Sequence, residues 1–359
     1  MKTCLVHDWL NVFAGAESVL EEIYRIFPSN IYTLFYNEES FKNALFSNEK
    51  VITSFLQKCP GVFSKHTLYS PFFSKAIEQF DLSEYDLILS SSHCVAKGVI
   101  PSPNQTHICY CHSPMRYIWD LSHLYLEDYS GIKKWILQQL FYKWRQWDVA
   151  SSNRVDHFIA NSEFVKRRIE KVYRRKATVI YPPVNIDRFK LCLKKDEYYI
   201  TASRLVSYKG VKQVVEAFSK LDRKLLVIGD GPNMKIIKKI ATSNIEILGH
   251  VSNEKLVGFL QQAKAFIFNS IEDFGITPVE AQACGTPVIA LGKGGALETI
   301  LDGKTGLFYE KSSPDAIRKA VLQFENMEFD RQEIRMQAEK FSSKRFSREF
   351  ESFVKGVIP

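Results

Sequence analysis

Short runs of β-branched and aromatic residues alternate along this chain with stretches whose apolar residues recur every three or four positions. That alternation predicts parallel strands joined by helices. In the first half the strand-like runs are Thr3–His7, Leu87–Ser90, His107–Cys111, Phe158–Ala160 and Val179–Tyr181. Tyr181-Pro182-Pro183-Val184-Asn185 then interrupts regular structure, because proline and the residue before it are both poorly accommodated in a helix. A second series follows at Tyr199–Ser203, Leu225–Ile228, Ile245–Leu248, Ala265–Phe268, Val288–Ala290 and Leu307–Phe308. From Ser313 to about Val357 the pattern is helical. The expectation is two α/β units, 1–181 and 182–342, followed by a last helix over 343–359, with no short-period repeat and no low-complexity tract.

With 359 residues and 45% hydrophobic content, the chain has enough apolar material for two cores. No run approaches the roughly 18–20 apolar residues of a membrane span, and Met1-Lys2 leads directly into a strand pattern, so no signal peptide is expected. The seven cysteines are odd in number and lack a C-x-x-C pair; reduced thiols are expected, with neither a disulfide framework nor a zinc site.

Charge is unevenly placed. The net +8 is matched by the stretch 131–176 alone, which holds twelve Lys or Arg against four acids, 12 − 4 = 8. Such a surface fits an anionic partner: a membrane face, a lipid diphosphate or nucleic acid. Within it, Ile132–Trp147 reads as a helix with Ile136, Leu137, Leu140, Phe141, Trp144 and Trp147 on one face. Two readings stay open: an interfacial helix on anionic lipid, or an ordinary helix with that stripe packed inward.

The densest chemistry lies in Glu272-Asp-Phe-Gly-Ile-Thr-Pro-Val-Glu280. A buried strand precedes it and a helix follows, with Thr277 suited to the N-cap, Pro278 to the first helical position and Glu280 to the third. Free N–H groups at such a turn favour an anion, and the two carboxylates can reach different hydroxyl-bearing parts of one ligand. Thr277…Glu280 could equally be a capping box. Upstream, Arg204 and Lys209 in Ser203-Arg-Leu-Val-Ser-Tyr-Lys-Gly210 form a cationic pair able to grip a diphosphate. Gly229-Asp-Gly231-Pro232 and Gly249-His250-Val251 each end a strand of the same half. In the first half, Phe13-Ala-Gly15-Ala-Glu17 follows the strand ending at His7, and Cys111-His112-Ser-Pro-Met-Arg116-Tyr-Ile-Trp-Asp120 follows another.

These segments, with Cys284-Gly-Thr-Pro-Val-Ile289, resemble the E-x7-E signature and companion loops of retaining, nucleotide-sugar-dependent glycosyltransferases of family 4. The resemblance covers nearly the whole chain and is nearest to the O-antigen mannosyltransferase-like branch. It implies the GT-B architecture: two Rossmann-like domains facing across a cleft, with the final helix crossing back to the first. It implies that Glu280 bonds the ribose and Glu272 the donor sugar, that the amides of Phe274, Gly275 and Ile276 meet the sugar and β-phosphate, and that Thr277 borders them. Arg204 and Lys209 would neutralise the leaving diphosphate. Gly229, Gly231, His250 and Val251 would line the nucleotide, and Gly15 would approach the phosphates, Ala14 standing where the family has its usual first glycine. His112 would border the sugar pocket, with Arg116 and Asp120 on the acceptor side.

The expected function is transfer of a hexose, mannose from GDP-mannose first among donors, to a polyprenyl-diphosphate-linked glycan in cell-surface lipopolysaccharide or O-antigen synthesis. It would proceed without a metal or other cofactor, at the cytoplasmic face of the plasma membrane, the stretch 132–176 meeting anionic lipid. Glu272 as a covalent nucleophile ranks below front-face departure. Rivals are a UDP-hexose donor on the same scaffold, a nucleotide-sugar epimerase of GT-B shape, and a non-catalytic basic adaptor. Nucleic acid is not expected, because the basic run is helical rather than an aromatic sheet face.

Overall fold

The computed structural model describes residues 1–46, 51–127 and 129–358. The chain divides into two compact units, Met1–Tyr181 with Phe346–Pro359, and Pro182–Arg345. The first is built on seven parallel strands: β1 (Thr3–His7), β2 (Asn30–Thr33), β3 (Val51–Thr53), β4 (Leu87–Ser92), β5 (Thr106–Cys111), β6 (His157–Ala160) and β7 (Ala177–Val179), in the order β3-β2-β1-β4-β5-β6-β7. The second holds six: β8 (Tyr198–Ala202), β9 (Lys224–Ile228), β10 (Ile245–Gly249), β11 (Ala265–Phe268), β12 (Val288–Leu291) and β13 (Gly306–Tyr309), in the order β10-β9-β8-β11-β12-β13. Counted within each unit, the second sheet runs 3-2-1-4-5-6 and the first runs the same way with a seventh strand added, 3-2-1-4-5-6-7. The strand order therefore reverses between β1 and β4 in one unit and between β8 and β11 in the other, and such reversals open a crevice beyond the carboxyl ends of the strands.

The strand pattern missed β2 (Asn30–Thr33) and β3 (Val51–Thr53). It also placed the last strand of the first unit at Val179–Tyr181, whereas pairing runs over Ala177–Val179. The shift arises at Arg174, whose left-handed backbone (φ 58°) ends the helix Glu163–Tyr173 and turns the chain straight into β7. The closing helix, Ser343–Val357, sets Phe346, Phe350 and Val354 in the core of the first unit, where Phe346 meets Tyr110 at 5.8 Å between ring centroids. A spacing of four keeps those three residues on one side of the helix.

The helix read as Ile132–Trp147 spans Gly131–Ser152. Phe141 and Trp144 lie in the core of the first unit, with Leu137, Leu140 and Trp147 packed against it. The inward reading of that stripe is the one realised, except that Ile136 is 53% exposed. Trp147 fits because Gly98 lacks a side chain: a Cβ there would fall 2.4 Å from the indole. The next residue, Asp148, is wholly buried and holds the Lys97 ammonium at 2.5 Å. It also accepts from the Trp119 indole N–H at 2.7 Å and from the Tyr173 hydroxyl at 3.0 Å. One carboxylate thus ties the 112–120 loop to two helices.

Removing Asp148 would leave Lys97 charged, buried and unmatched, so Asp148→Ala is expected to cost about 3–5 kcal/mol of stability. Urea unfolding checks this; a loss under 1 kcal/mol would mean the network is incidental.

Candidate functional site

In the second unit the chain leaves β8 through Ser203-Arg204-Leu205, makes a 3-10 turn over Ser207–Lys209, and enters the helix Val211–Phe218 at Gly210, φ 64°. Two glycines of the next loop make this course available. A Cβ on Gly229 would lie 1.9 Å from the Ser203 carbonyl oxygen, and one on Gly231 2.5 Å from that of Leu205. The two backbones touch, with Leu205 N–H donating to the Asp230 carbonyl at 2.8 Å. Both glycines, expected to line a nucleotide, carry the Arg204 loop from beneath. Gly210 is similarly closed in by Asn269, whose side chain donates to the Gly210 carbonyl at 2.8 Å and accepts from the Tyr309 hydroxyl at 2.9 Å.

The chain leaving β11 meets that loop. Lys209 Nζ donates to Glu272 Oε1 at 2.7 Å, both side chains being 19% exposed. A lysine following one strand of the reversal point and a glutamate following its neighbour are thereby in contact. Arg204, on the same loop as Lys209, is exposed. Phe274 is buried and packs edge-on against Phe341 at 5.3 Å.

The helix begins earlier than its sequence suggests. It runs Ile276–Ala283, its N-cap is Gly275 at φ 91°, and no side chain caps it. Thr277 is therefore the second helical residue rather than the cap, Pro278 the third and Glu280 the fifth, and the Thr277…Glu280 capping box does not form. The cause is Gly275: with φ in the left-handed range the chain turns into the helix two residues sooner than a threonine cap would allow. Pro278 still falls within the first turn, where its missing N–H has no intrahelical partner to lose. Glu280, released from capping, is half-buried, and burial pushes its carboxyl up to about 7 against the opposing pull of Arg188.

Two positioning residues escaped the sequence reading. Gly294 and Gly295 follow β12, and Cβ atoms there would meet the Glu272 carbonyl oxygen at 2.6 Å and the Phe274 Cα at 2.4 Å. Gly295 N–H donates to the Glu272 carbonyl at 2.9 Å. The signal available was Gly292-Lys-Gly-Gly295 directly after a strand. His250 is exposed and Val251 half-buried just past β10, whose last residue, Gly249, accepts from Gly229 N–H at 2.8 Å.

In the first unit the strand ends gather titratable groups. Asp8 is fully buried and accepts from the N–H groups of His93, Cys94, Val95 and Ala96 at 2.6–3.0 Å, while His93 Nδ1 lies 2.9 Å from it. Burial opposes its ionisation, but the imidazoles of His93 and His7 and the amides outweigh that and hold the carboxyl well below its ordinary value. His112 shares a hydrogen bond with Ser91 Oγ at 2.8 Å. Burial first, then repulsion from His93 and His7, pushes its imidazole down to about 3, so it is a neutral hydrogen-bonding ring at neutral pH. Gly15 opens the helix Gly15–Ile26, with Ala14 as N-cap and Glu17 accepting from the Ala14 N–H at 2.9 Å.

Arg116 Nε lies 3.8 Å from Asp120, and Arg168 also grips that carboxylate while donating to Ser113 Oγ at 2.8 Å. Arg168 stood in the sequence only as one member of the basic run; the adjacency of β5 and β6 brings it to the 112–120 loop, and no local pattern announces it. Among the described residues no group of three or more His, Cys, Asp or Glu could hold a metal ion.

Residues 184–341 match the family model of glycosyl transferases group 1, and residues 18–188 match that of Glycosyltransferase Family 4. An uncharacterised glycosyltransferase of Methanocaldococcus jannaschii is 30% identical over 65% of this chain and 65% of its own. A GDP-mannose-dependent phosphatidylinositol monomannoside mannosyltransferase of Mycolicibacterium smegmatis is 34% identical over 34% of this chain and 37% of its own. With a third relative matched over 50% of its length, the chain spans under two thirds of these curated relatives. The Anabaena protein HepE, solved with UDP and glucose, superimposes with a TM-score of 0.72 at 17% identity, covering 99% of this chain and all of that one. Sucrose-phosphate synthase of Thermosynechococcus elongatus gives 0.75 at 16%, covering 99% of each chain. At those identities the likeness establishes the fold, which is GT-B.

The Glu280 geometry has a measurable consequence for the ligand-free protein. An acid whose folded pKa is raised from 4.5 to about 7 contributes stability in full below pH 4.5, and that contribution is lost as pH rises through 7. Above that the cost reaches at most about 3 kcal/mol. Glu280→Gln is therefore expected to unfold at higher urea than the parent at pH 8 and at equal urea at pH 4; equal midpoints at both pH values would contradict the burial of that carboxylate.

Proposed function

We propose that this chain, whose two halves match glycosyltransferase family models, is a retaining transferase that moves a hexose from a nucleotide diphosphate to a lipid-linked acceptor. One observation carries the reading: a lysine and a glutamate from neighbouring strand ends meet at 2.7 Å at the reversal point of the second sheet. An ammonium has three N–H donors, so Lys209 can hold Glu272 and a phosphate oxygen together. Arg204 on the same exposed loop adds a second cation, and the uncapped helix start at Ile276 offers free amides. A carboxylate beside the phosphate grip suits the hydroxyls of the attached sugar. Glu280, half-buried with Arg188 nearby, suits the two hydroxyls of a ribose.

In the proposed reaction the bond from the anomeric carbon to the β-phosphate oxygen breaks, and its electron pair leaves with the diphosphate. Arg204, Lys209 and the amides neutralise that charge as it forms, the kind of contribution worth about 10²–10³ in rate per donor. The acceptor hydroxyl enters from the same face, its oxygen bonds to the anomeric carbon, and its proton passes to the departing phosphate. The two cations serve where other enzymes use a divalent metal. GDP-mannose is the first donor to test, supported by the mannosyltransferase relative; the acceptor is assigned to the first unit, with neutral His112 and Arg116 as its contacts. Asp120, gripped by Arg168 and Arg116, orients Arg116. A lipid-linked acceptor places the enzyme at a membrane surface.

Purified protein incubated with GDP-mannose or UDP-glucose in EDTA is expected to release nucleotide, and Arg204→Ala to lower that release at least 100-fold without changing the unfolding temperature. Release that depends on added metal, or that survives the substitution, overturns the reading. Because Glu280 must be ionised to accept two ribose hydroxyls, nucleotide affinity should rise with pH through about 7; calorimetric titrations at pH 6 and pH 8 check the sign.

A further inference from the structure

The second unit has a cavity at the end of its sheet away from Lys209 and Glu272. Lys264, in the cavity wall, immediately precedes β11, whereas Glu272 follows that strand. The volume is about 360 Å³, within the range of small-molecule sites. Part of the wall is apolar: Phe324 and Phe329 stack with ring centroids 5.0 Å apart, and Met327 lies beside them. Arg331 also lines the cavity. It opens the helix Arg331–Glu339, where a cation opposes the helix dipole. Its backbone is packed on Gly285, where a Cβ would lie 3.1 Å from the Arg331 carbonyl oxygen and 3.2 Å from its Cβ. The side chain is half-buried, and one terminal nitrogen of its guanidinium is sealed from solvent with no hydrogen-bond partner among the described residues.

The neighbouring carboxylates are engaged elsewhere. Glu325 accepts from Arg223 Nε at 2.6 Å and from its Nη2 at 3.0 Å. Asp330 caps the helix by accepting from the Gln332 N–H at 2.8 Å, and Glu333 lies 3.6 Å from Lys304. Burial therefore holds the Arg331 guanidinium below its ordinary basicity, and no carboxylate among the described residues offsets it. A second cation lies within its field. Lys195 donates to the carbonyls of Gln261 and Cys284 and to the Thr286 hydroxyl at 2.6–2.9 Å. Burial first, and then the charge of Arg331, push that ammonium down to about 8.

We infer that this cavity is a ligand site separate from the Lys209–Glu272 crevice, and that it takes a small monocarboxylate with an aromatic body. A guanidinium binds a carboxylate through two parallel N–H donors, so the ligand supplies the counter-charge that the fold does not. The stacked phenylalanines and Met327 suit an aromatic ring. Glu325 and the exposed Glu328, both in the wall, disfavour the second negative charge of a phosphate. Lys264 is held by Glu197 at 2.6 Å, which leaves Arg331 as the cation that selects the ligand. The site does not depend on the transferase reading, because it is argued from the opposite end of the sheet.

The test is titration of the full chain with phenylacetate, phenylacetamide and inorganic phosphate, followed by saturation-transfer NMR. Phenylacetate is expected to bind with a Kd of about 1 mM, a reasonable value for so small a ligand. The neutral amide and phosphate should each bind at least tenfold more weakly. Arg331→Met should weaken phenylacetate at least tenfold without lowering the unfolding temperature, because the fold gives that guanidinium no partner to lose. Met327→Glu, which adds a carboxylate to the wall, should weaken it to a similar degree. Both variants should keep the parental nucleotide affinity. The inference is overturned if phenylacetate does not bind, if the amide or phosphate binds equally well, or if either variant binds phenylacetate as the parent does. A lower unfolding temperature in Arg331→Met overturns it as well, since the guanidinium would then be a structural group.

Discussion

The contact between Lys209 and Glu272 depends on backbones packed closer than any side chain would permit. Four glycines hold the two loops that carry it: Gly229 and Gly231 beneath Ser203 and Leu205, Gly294 and Gly295 against Glu272 and Phe274. Each stands where a Cβ would lie under 2.7 Å from a neighbouring backbone atom, so the site's geometry is fixed by excluded volume before any charge is considered. The ion pair adds little by itself, about 1 kcal/mol or less for a pair with this much solvent access. Its value is directional: it points an ammonium and a carboxylate into the same crevice.

Three loops of the second unit converge because of strand order. β8 and β11 are neighbours only because the sheet reverses between them, and that reversal is what brings residue 209 to residue 272. The first unit repeats the topology, and there the same region of strand ends holds Asp8, His93 and His112. Asp8 is occupied by four backbone amides and an imidazole, and is therefore a keystone of the turn after β4 rather than a reactive acid. His112, kept neutral by burial, can give and take hydrogen bonds without adding charge beside Arg116.

Most of the architecture was legible in the hydrophobic pattern because buried parallel strands are nearly continuous apolar runs, and Tyr181-Pro-Pro marked where one unit gives way to the next. The strands β2 and β3 were not, although others as short were. The E-x7-E segment, the Arg204–Lys209 loop and the His112–Asp120 loop could be named from residue types. Their packing partners could not, because Arg168 reaches the 112–120 loop of the first unit, and the Gly294-Gly295 pair the Glu272 loop of the second, through sheet adjacency. The Thr277 cap failed for a local reason: capping preference was outweighed by a glycine able to turn the chain earlier. The Trp-rich helix divides the same way. Its inward stripe followed the expected spacing at Leu137, Leu140, Phe141, Trp144 and Trp147, and failed only at Ile136, which is exposed.

The most direct test is calorimetric titration of the parent, Lys209→Met and Glu272→Gln with GDP-mannose and with GDP. If Lys209 grips phosphate and Glu272 grips sugar, the lysine variant loses affinity for both ligands, whereas the glutamate variant loses it for the nucleotide sugar and keeps it for the nucleotide. Parental affinities in both variants, or a Glu272 variant that binds GDP as poorly as it binds GDP-mannose, would contradict that division of labour.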